Sequence, residues 1–362
     1  MSERTPLFDV CTQAGGVFGE HAGWLLPRHY GSFEREYWNT CQEAALFDVS
    51  NRGKIELIGP EARSFLHNLC TNDILHLAPG KGCEAFFATL KAKVIAHAFI
   101  YCAASPASED ALWIDVAASA TDRLIKHLNR HLISERVEIK DRARDFAQVH
   151  LAGPNAGLVL GKAAGRAVDM GELEERQQVL GNVPACVLRR HALLGLPGFD
   201  ICCPNEHAVT VWQTLEQCGA GPAGSEAFEV LRVEAGMPAD GVDFDENSLV
   251  MEVARTQQAI SYTKGCYLGQ EPVVRSRDLG HVNRSLLGLK IRAPSPARAG
   301  AKLFRDGNEV GNVTSSAYSP RLETAIALAY IRRGNQERGT LLDVEAGGAK
   351  VSAEVADLPL VG

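Results

Sequence analysis

Short runs of alternating apolar and polar residues, and longer runs with apolar residues every three or four positions, divide this chain into strands and helices. Residues 54–58 (KIELI) alternate and predict a strand. Gly59-Pro60 breaks that run, and Glu61 opens an amphipathic stretch with Ala62, Phe65, Leu66 and Leu69 on one side. A proline and an acid both suit the first turn of a helix. The same order recurs with 148–151 as strand, Gly153-Pro154 as break and a helix beginning at 155–158. Two such copies predict two related strand–helix modules within one fold.

Residues 111–116 and 136–140 read as strands. Residues 121–132 read as a helix carrying Leu124, Leu128 and Leu132 at four-residue spacing. Residues 200–203 continue a strand, and 206–218 are helical with Val209, Trp212 and Leu215 apolar. Ser225 is a candidate cap for a helix ending at Gly236. From about residue 286 the chain changes to short strands with glycine turns, which predicts a small β-barrel; the proline-rich 292–300 is a loop within it. The expected fold class is α+β, with a body over 1–286 and a β-barrel domain over 287–362.

Composition narrows the function classes. With 362 residues, 46% hydrophobic and 22% charged, the chain has the make-up of an ordinary soluble globular protein. A net charge of −7 argues against a general nucleic-acid binder. No apolar run approaches the roughly 18 residues of a membrane span, and the first residues lack a secretory pattern. Ten cysteines occur without a C-x-x-C pair, so free thiols in a reducing compartment are expected, with no iron–sulphur or other metal ligand set.

Several motifs have a plain reading. GAGPAG at 219–224 matches a dinucleotide fingerprint, but it follows a helix and contains Pro222, so it reads as a connector. His127 and His131 have metal-ligand spacing with no third ligand nearby, and read as an exposed helix face. Arg232 borders the stripe of Phe228, Leu231 and Ala235; its guanidinium suits a carboxylate or a flat ring, or else pairs with Glu229 or Glu234. His97 reads as a structural strand histidine. In KGCYLGQE, at 264–271, Lys264 lies two residues before Cys266, with Gly265 and Gly269 on either side. A nearby ammonium favours a thiolate, although an isolated cysteine is more often a small buried apolar residue.

KGCYLGQE resembles the K-G-C-[YF]-x-G-Q-E signature of the YgfZ proteins, a folate-binding branch of the glycine-cleavage T-protein (aminomethyltransferase) superfamily. Similar stretches are ALFDVS at 45–50, GKIELIGPEARSFLHNLCTND at 53–73, LAGPNA at 151–156 and GFDI at 198–201. LRVEAGMPADGVDFDEN at 231–247 and GNVTSSAYSPRLETAIALAYI at 311–331 extend the likeness. The resemblance implies a ring of interleaved α+β domains around a folate channel. It places tetrahydrofolate, or a folate derivative, against Asp200 and Arg232, with Phe199, Asn72, Gly265, Gln270 and Glu271 in the folate-binding set. It sets Cys266 facing the pocket with Lys264 favouring its thiolate, and Glu271 and Arg275 anchoring the loop. Asp200 stands one methylene short of the pterin-contacting glutamate of the T-protein G-Y-E-I motif.

Two departures carry weight. T-proteins resemble V-I-D-D-L-I-V-Y where this chain has Ala96 and His97 in place of both acids, and they carry aspartate at the position of Cys266. The resemblance therefore implies an auxiliary protein of the YgfZ type, supporting assembly or repair of iron–sulphur enzymes, including those that modify tRNA. Its partners would be folate and iron–sulphur enzymes or assembly factors, with no direct contact to nucleic acid or membrane. Its location would be cytoplasmic, or mitochondrial in a eukaryote. The alternatives are a tetrahydrofolate-dependent aminomethyl- or methyltransferase and a folate-binding scaffold without chemistry.

Overall fold

The computed structural model describes residues 2–103, 111–280 and 282–361. Strand Gly53–Ile58 runs through Gly59-Pro60 into helix Ala62–Leu69, and strand Phe146–Ala152 runs through Gly153-Pro154 into helix Ala156–Ala164. The repeated glycine has a steric cause. Gly59 and Gly153 hold φ of 142° and 132°. A Cβ there would lie 2.1 Å from the Arg136 carbonyl oxygen in one case and 2.4 Å from that of Glu43 in the other.

The two modules belong to different sheets. A six-stranded sheet has the order Glu175–Leu180, Val183–Arg190, Gly198–Pro204, Phe146–Ala152, Ala45–Asp48, Gly221–Pro222. Between Ala45–Asp48 and Phe146–Ala152 the chain leaves to build a five-stranded antiparallel sheet. Its order is Gly82–Ala88, Val94–Cys102, Ala111–Val116, Gly53–Ile58, Glu138–Asp141. The chain then returns, so the two sheets are interleaved in sequence. A small N-terminal sheet joins Glu3–Arg4, Trp24–His29 and Val17–His21. Six strands from Arg284–Ile291 to Ala349–Ala356 close into a barrel. The fold is α+β with a C-terminal six-stranded barrel.

The expected strand at 136–140 forms later, at Glu138–Asp141. Arg136 is drawn out of the ladder because its backbone N–H and its Nε both donate to Glu61 Oε2, at 2.9 and 3.0 Å.

Each of the two large sheets covers one face with helices. Ile55, Leu57 and Ile100 pack with Phe65, Leu66, Leu124 and Leu128 in one core, and Phe199 and Ile201 pack with Leu160, Trp212 and Leu215 in the other. A buried polar layer ties the two sheets together. Asp115, on the five-stranded sheet, accepts from Arg52 and, at 2.7 Å, from Gln148 Nε2 on the six-stranded sheet. Arg189 Nε donates to Glu175 at 2.9 Å. Lys54 is buried and gives its ammonium to the carbonyls of Ser50 and Arg52; burial pushes its pKa down. Charges buried this deeply are tolerated only because their hydrogen bonds are met. No helix among the described residues is long and apolar enough to cross a membrane.

Candidate functional site

The two large sheets, the N-terminal hairpin, helix Ser225–Ala235 and the barrel enclose a cavity of about 700 Å³. The helix buries Ala227 and Leu231 and presents Ser225, Phe228, Glu229 and Arg232 to the cavity. The turn after Ala45–Asp48 supplies Asn51 and Arg52, the loop after the helix supplies Met237 and Asp240, and the barrel supplies Tyr318. Aromatic rings form much of the wall. Phe47 meets Phe228 edge to face at 5.4 Å, and His97 meets Phe99 and Phe244 at 5.4 and 6.2 Å.

Strand Val94–Cys102 decides which of its residues reach this space. Its pairing with Gly82–Ala88 slips at Ile95 and is regular thereafter. Beyond the slip, Ala96, Ala98 and Ile100 enter the helix-covered core, and His97 and Phe99 line the cavity. Only one of the two positions where the T-protein pattern has acids therefore faces the site. His97 Nε2 lies 2.6 Å from Glu84 Oε1 on the neighbouring strand. Arg255 grips both oxygens of Glu84, its Nε at 2.7 Å from Oε1. Burial pushes the Glu84 carboxyl up, but Arg255 and His97 outweigh it and hold the group down at about 2.

The residues expected at the site do not all meet there. Arg232 borders the cavity, but its donors are engaged: with Glu229, with Asp243 Oδ2 at 2.6 Å, with Ser315 Oγ at 2.7 Å and with the Met237 carbonyl. Asp200 lies behind the wall. It bridges two buried histidines, 2.8 Å from His150 Nδ1 and 3.3 Å from His191 Nδ1. Burial raises its carboxyl, yet the two imidazoles outweigh that and hold it well below the usual carboxylate range. The side chain, a methylene shorter than glutamate, thus braces imidazoles that pack on Phe47, Phe228 and Phe99. Phe199 is a core residue with the Arg190 guanidinium 4.9 Å from its ring centroid. Asn72 spends its amide on the carbonyls of Glu84 and Gln258.

The KGCYLGQE loop lies elsewhere. Cys266 is exposed and lines a separate surface depression with Leu90, Gln270 and Glu271; none of these borders the aromatic cavity. Lys264 does not serve the thiol. Its buried ammonium donates to the carbonyls of His67, Cys70 and Asn72, which closes the end of helix Ala62–Leu69. Gly265 faces open space. Gly269 is required by its φ of 82° and by the Thr89 carbonyl, 2.5 Å from where a Cβ would sit. Gln270 and Glu271 start helix Gln270–Leu279, where Glu271 pairs with Arg275 on the surface.

No motif in the sequence marks Glu84, Arg255 or the aromatic wall. The available signal was the ALFDVSNR run, which delivers Phe47, Asp48, Asn51 and Arg52 to one place. Among the described residues no cluster of three His, Cys, Asp or Glu side chains could hold a metal ion.

Comparison with known proteins agrees with this architecture. Residues 7–262 match the GCVT N-terminal domain, and residues 284–361 match the glycine cleavage T-protein C-terminal barrel domain. An aminomethyltransferase of Desulforamulus reducens is 29% identical, covering 99% of this chain and 97% of that relative. One of Synechococcus elongatus is 30% identical, covering 98% and 95%. These relatives carry the aminomethyltransferase name, not that of the folate-binding auxiliary branch. The crystal structure of glycine cleavage system aminomethyltransferase T from Bartonella henselae shares the fold, with a TM-score of 0.91 at 24% identity over 100% of this chain and 98% of that one. The chain belongs to the glycine-cleavage T-protein family.

Proposed function

We propose that this protein binds a reduced folate in the aromatic cavity and transfers a one-carbon unit to or from it, as an aminomethyltransferase does. The observation that carries the reading is the cavity itself. At about 700 Å³ it suits a flat ring with a polar tail, and Phe47, Phe99, Phe228 and Phe244 supply apolar surface for the ring. Asn51, and Arg52 and Asp240 alongside their ion pairs with Asp115 and Arg123, border the cavity and supply polar groups to orient it. Calorimetric titration with tetrahydrofolate tests binding, and single-turnover assays with an S-aminomethyl thiol donor test transfer. Saturable binding together with transfer supports the reading; absence of binding overturns it.

A second reading is favoured by the KGCYLGQE loop with its exposed Cys266. On that reading the protein binds tetrahydrofolate but acts as a YgfZ-type auxiliary factor for iron–sulphur enzymes, including tRNA-modifying ones. Tetrahydrofolate binding without transfer, and support of an iron–sulphur enzyme that is lost in Cys266→Ser, would favour it over the first.

A further inference from the structure

We propose that Glu84 and His97, positioned by Arg255, form the proton-transfer pair of this site. The proposal rests on the one-carbon transfer reading above and adds which side chain moves the proton. Three observations lead to it. His97 lines the cavity, and its Nε2 is committed to Glu84 at 2.6 Å, which leaves Nδ1 as the ring's free nitrogen. Glu84 is buried and fixed from behind by both ends of the Arg255 guanidinium, so the imidazole cannot swing away from it. The ring is also held in plane by Phe86 at 5.0 Å and by Phe99 and Phe244. A carboxylate hydrogen-bonded to one nitrogen of an imidazole fixes its tautomer, which leaves the other nitrogen to accept and return a proton.

The step balances without an oxidant or reductant. As the acceptor nitrogen forms its bond to the one-carbon unit, it sheds its N–H proton, and His97 takes it. As the bond between carbon and the donor's leaving group breaks, the electron pair stays with the leaving group, and His97 returns the proton to it. Glu84 and Arg255 are positioning residues, since Glu84 acts through His97 and Arg255 through Glu84.

The test uses the full chain, tetrahydrofolate and an S-aminomethyl thiol donor. His97→Ala is expected to lower the single-turnover rate by about 10²-fold or more, with tetrahydrofolate affinity close to that of the native protein and with the rate partly restored by added imidazole. His97→Gln keeps the partner to Glu84 and much of the ring's volume, so it guards against misfolding; it should lose rate equally. Glu84→Gln should lower kcat with KM little changed. Undiminished transfer in folded His97→Gln, or no rescue of His97→Ala by imidazole, overturns the pair while leaving the folate site intact. Native protein that binds tetrahydrofolate without transferring also overturns the pair, whereas native protein that fails to bind tetrahydrofolate overturns the functional reading beneath it.

Discussion

At the scale of single residues, the ion pairs show which side chains are free to act. Arg232 is 4% exposed and Asp243 is fully buried beneath it. Removing the guanidinium takes the balancing cation from that buried carboxylate, which keeps its bonds from Ala239, Thr314 and Ser315, so Arg232→Ala is expected to destabilise the protein by about 2–4 kcal/mol in addition to any effect on ligand binding. Urea unfolding measures it; a loss below about 1 kcal/mol would show the network to be dispensable. Cys266 presents the opposite case. It is the exposed thiol, whereas the thiols of Cys11 and Cys202 are pushed up to about 12 by burial, and that of Cys70 to about 11. Iodoacetamide should therefore modify Cys266 fastest of the ten, and tetrahydrofolate should leave its rate unchanged because the depression is separate from the cavity. Mass-spectrometric mapping with and without folate checks this; protection by folate would place the loop at the ligand.

At the scale of the element, strand Val94–Cys102 explains why one missing acid matters and the other does not. Ala96 is fully buried in the core beside the helices, and His97 lies on the opposite face. A carboxylate at 96 would be buried in an apolar core. Ala96→Asp is expected to cost several kcal/mol of stability and to add no transfer activity, whereas His97→Asp borders the cavity and should cost less, its penalty being the second carboxylate set beside Glu84. Thermal unfolding of the two variants decides it, and a stable Ala96→Asp protein would mean that the strand can slip its register.

At the scale of the whole molecule, buried titratable groups link stability to pH in two windows. His127 is pushed down to about 4, from an ordinary 6.5, by burial and by the neighbouring charges of His131 and Arg130. The unfolded chain binds that proton first, so stability falls as pH drops from about 6.5 towards 4. Glu84, held at about 2 against an ordinary 4.5, contributes stability that is present above about 4.5 and lost as pH falls towards 2. The second contribution is on the order of 3 kcal/mol at neutral pH. Asp200, held low by its histidines, acts in the same direction. Unfolding free energies should be lower at pH 3 than at pH 7, opposed in part by Asp48, whose buried carboxyl is pushed up and gains stability as pH falls, and Glu84→Gln should flatten the lower part of the curve. A curve that is level between pH 6.5 and 4 would contradict the burial of His127.

What the sequence determined is local. The period of KIELI, the Gly-Pro breaks with their forced φ, the leucines at four-residue spacing and Gly236 after the helix 225–235 each mark an element. These signals are legible because they depend on residues a few positions apart. The motif letters likewise point to the T-protein family. Only the tertiary structure decided which chemistry-bearing residues share a space. The chain leaves one sheet to build another and returns, so Glu84, His97 and Arg255 meet although 171 positions separate the first from the last. Lys264 and Cys266 are two positions apart, yet the structure turns one inward to cap a helix and leaves the other in solvent. The reason is physical: a buried ammonium must satisfy its donors, and three carbonyls at the end of a helix lie closer to hand than any thiol.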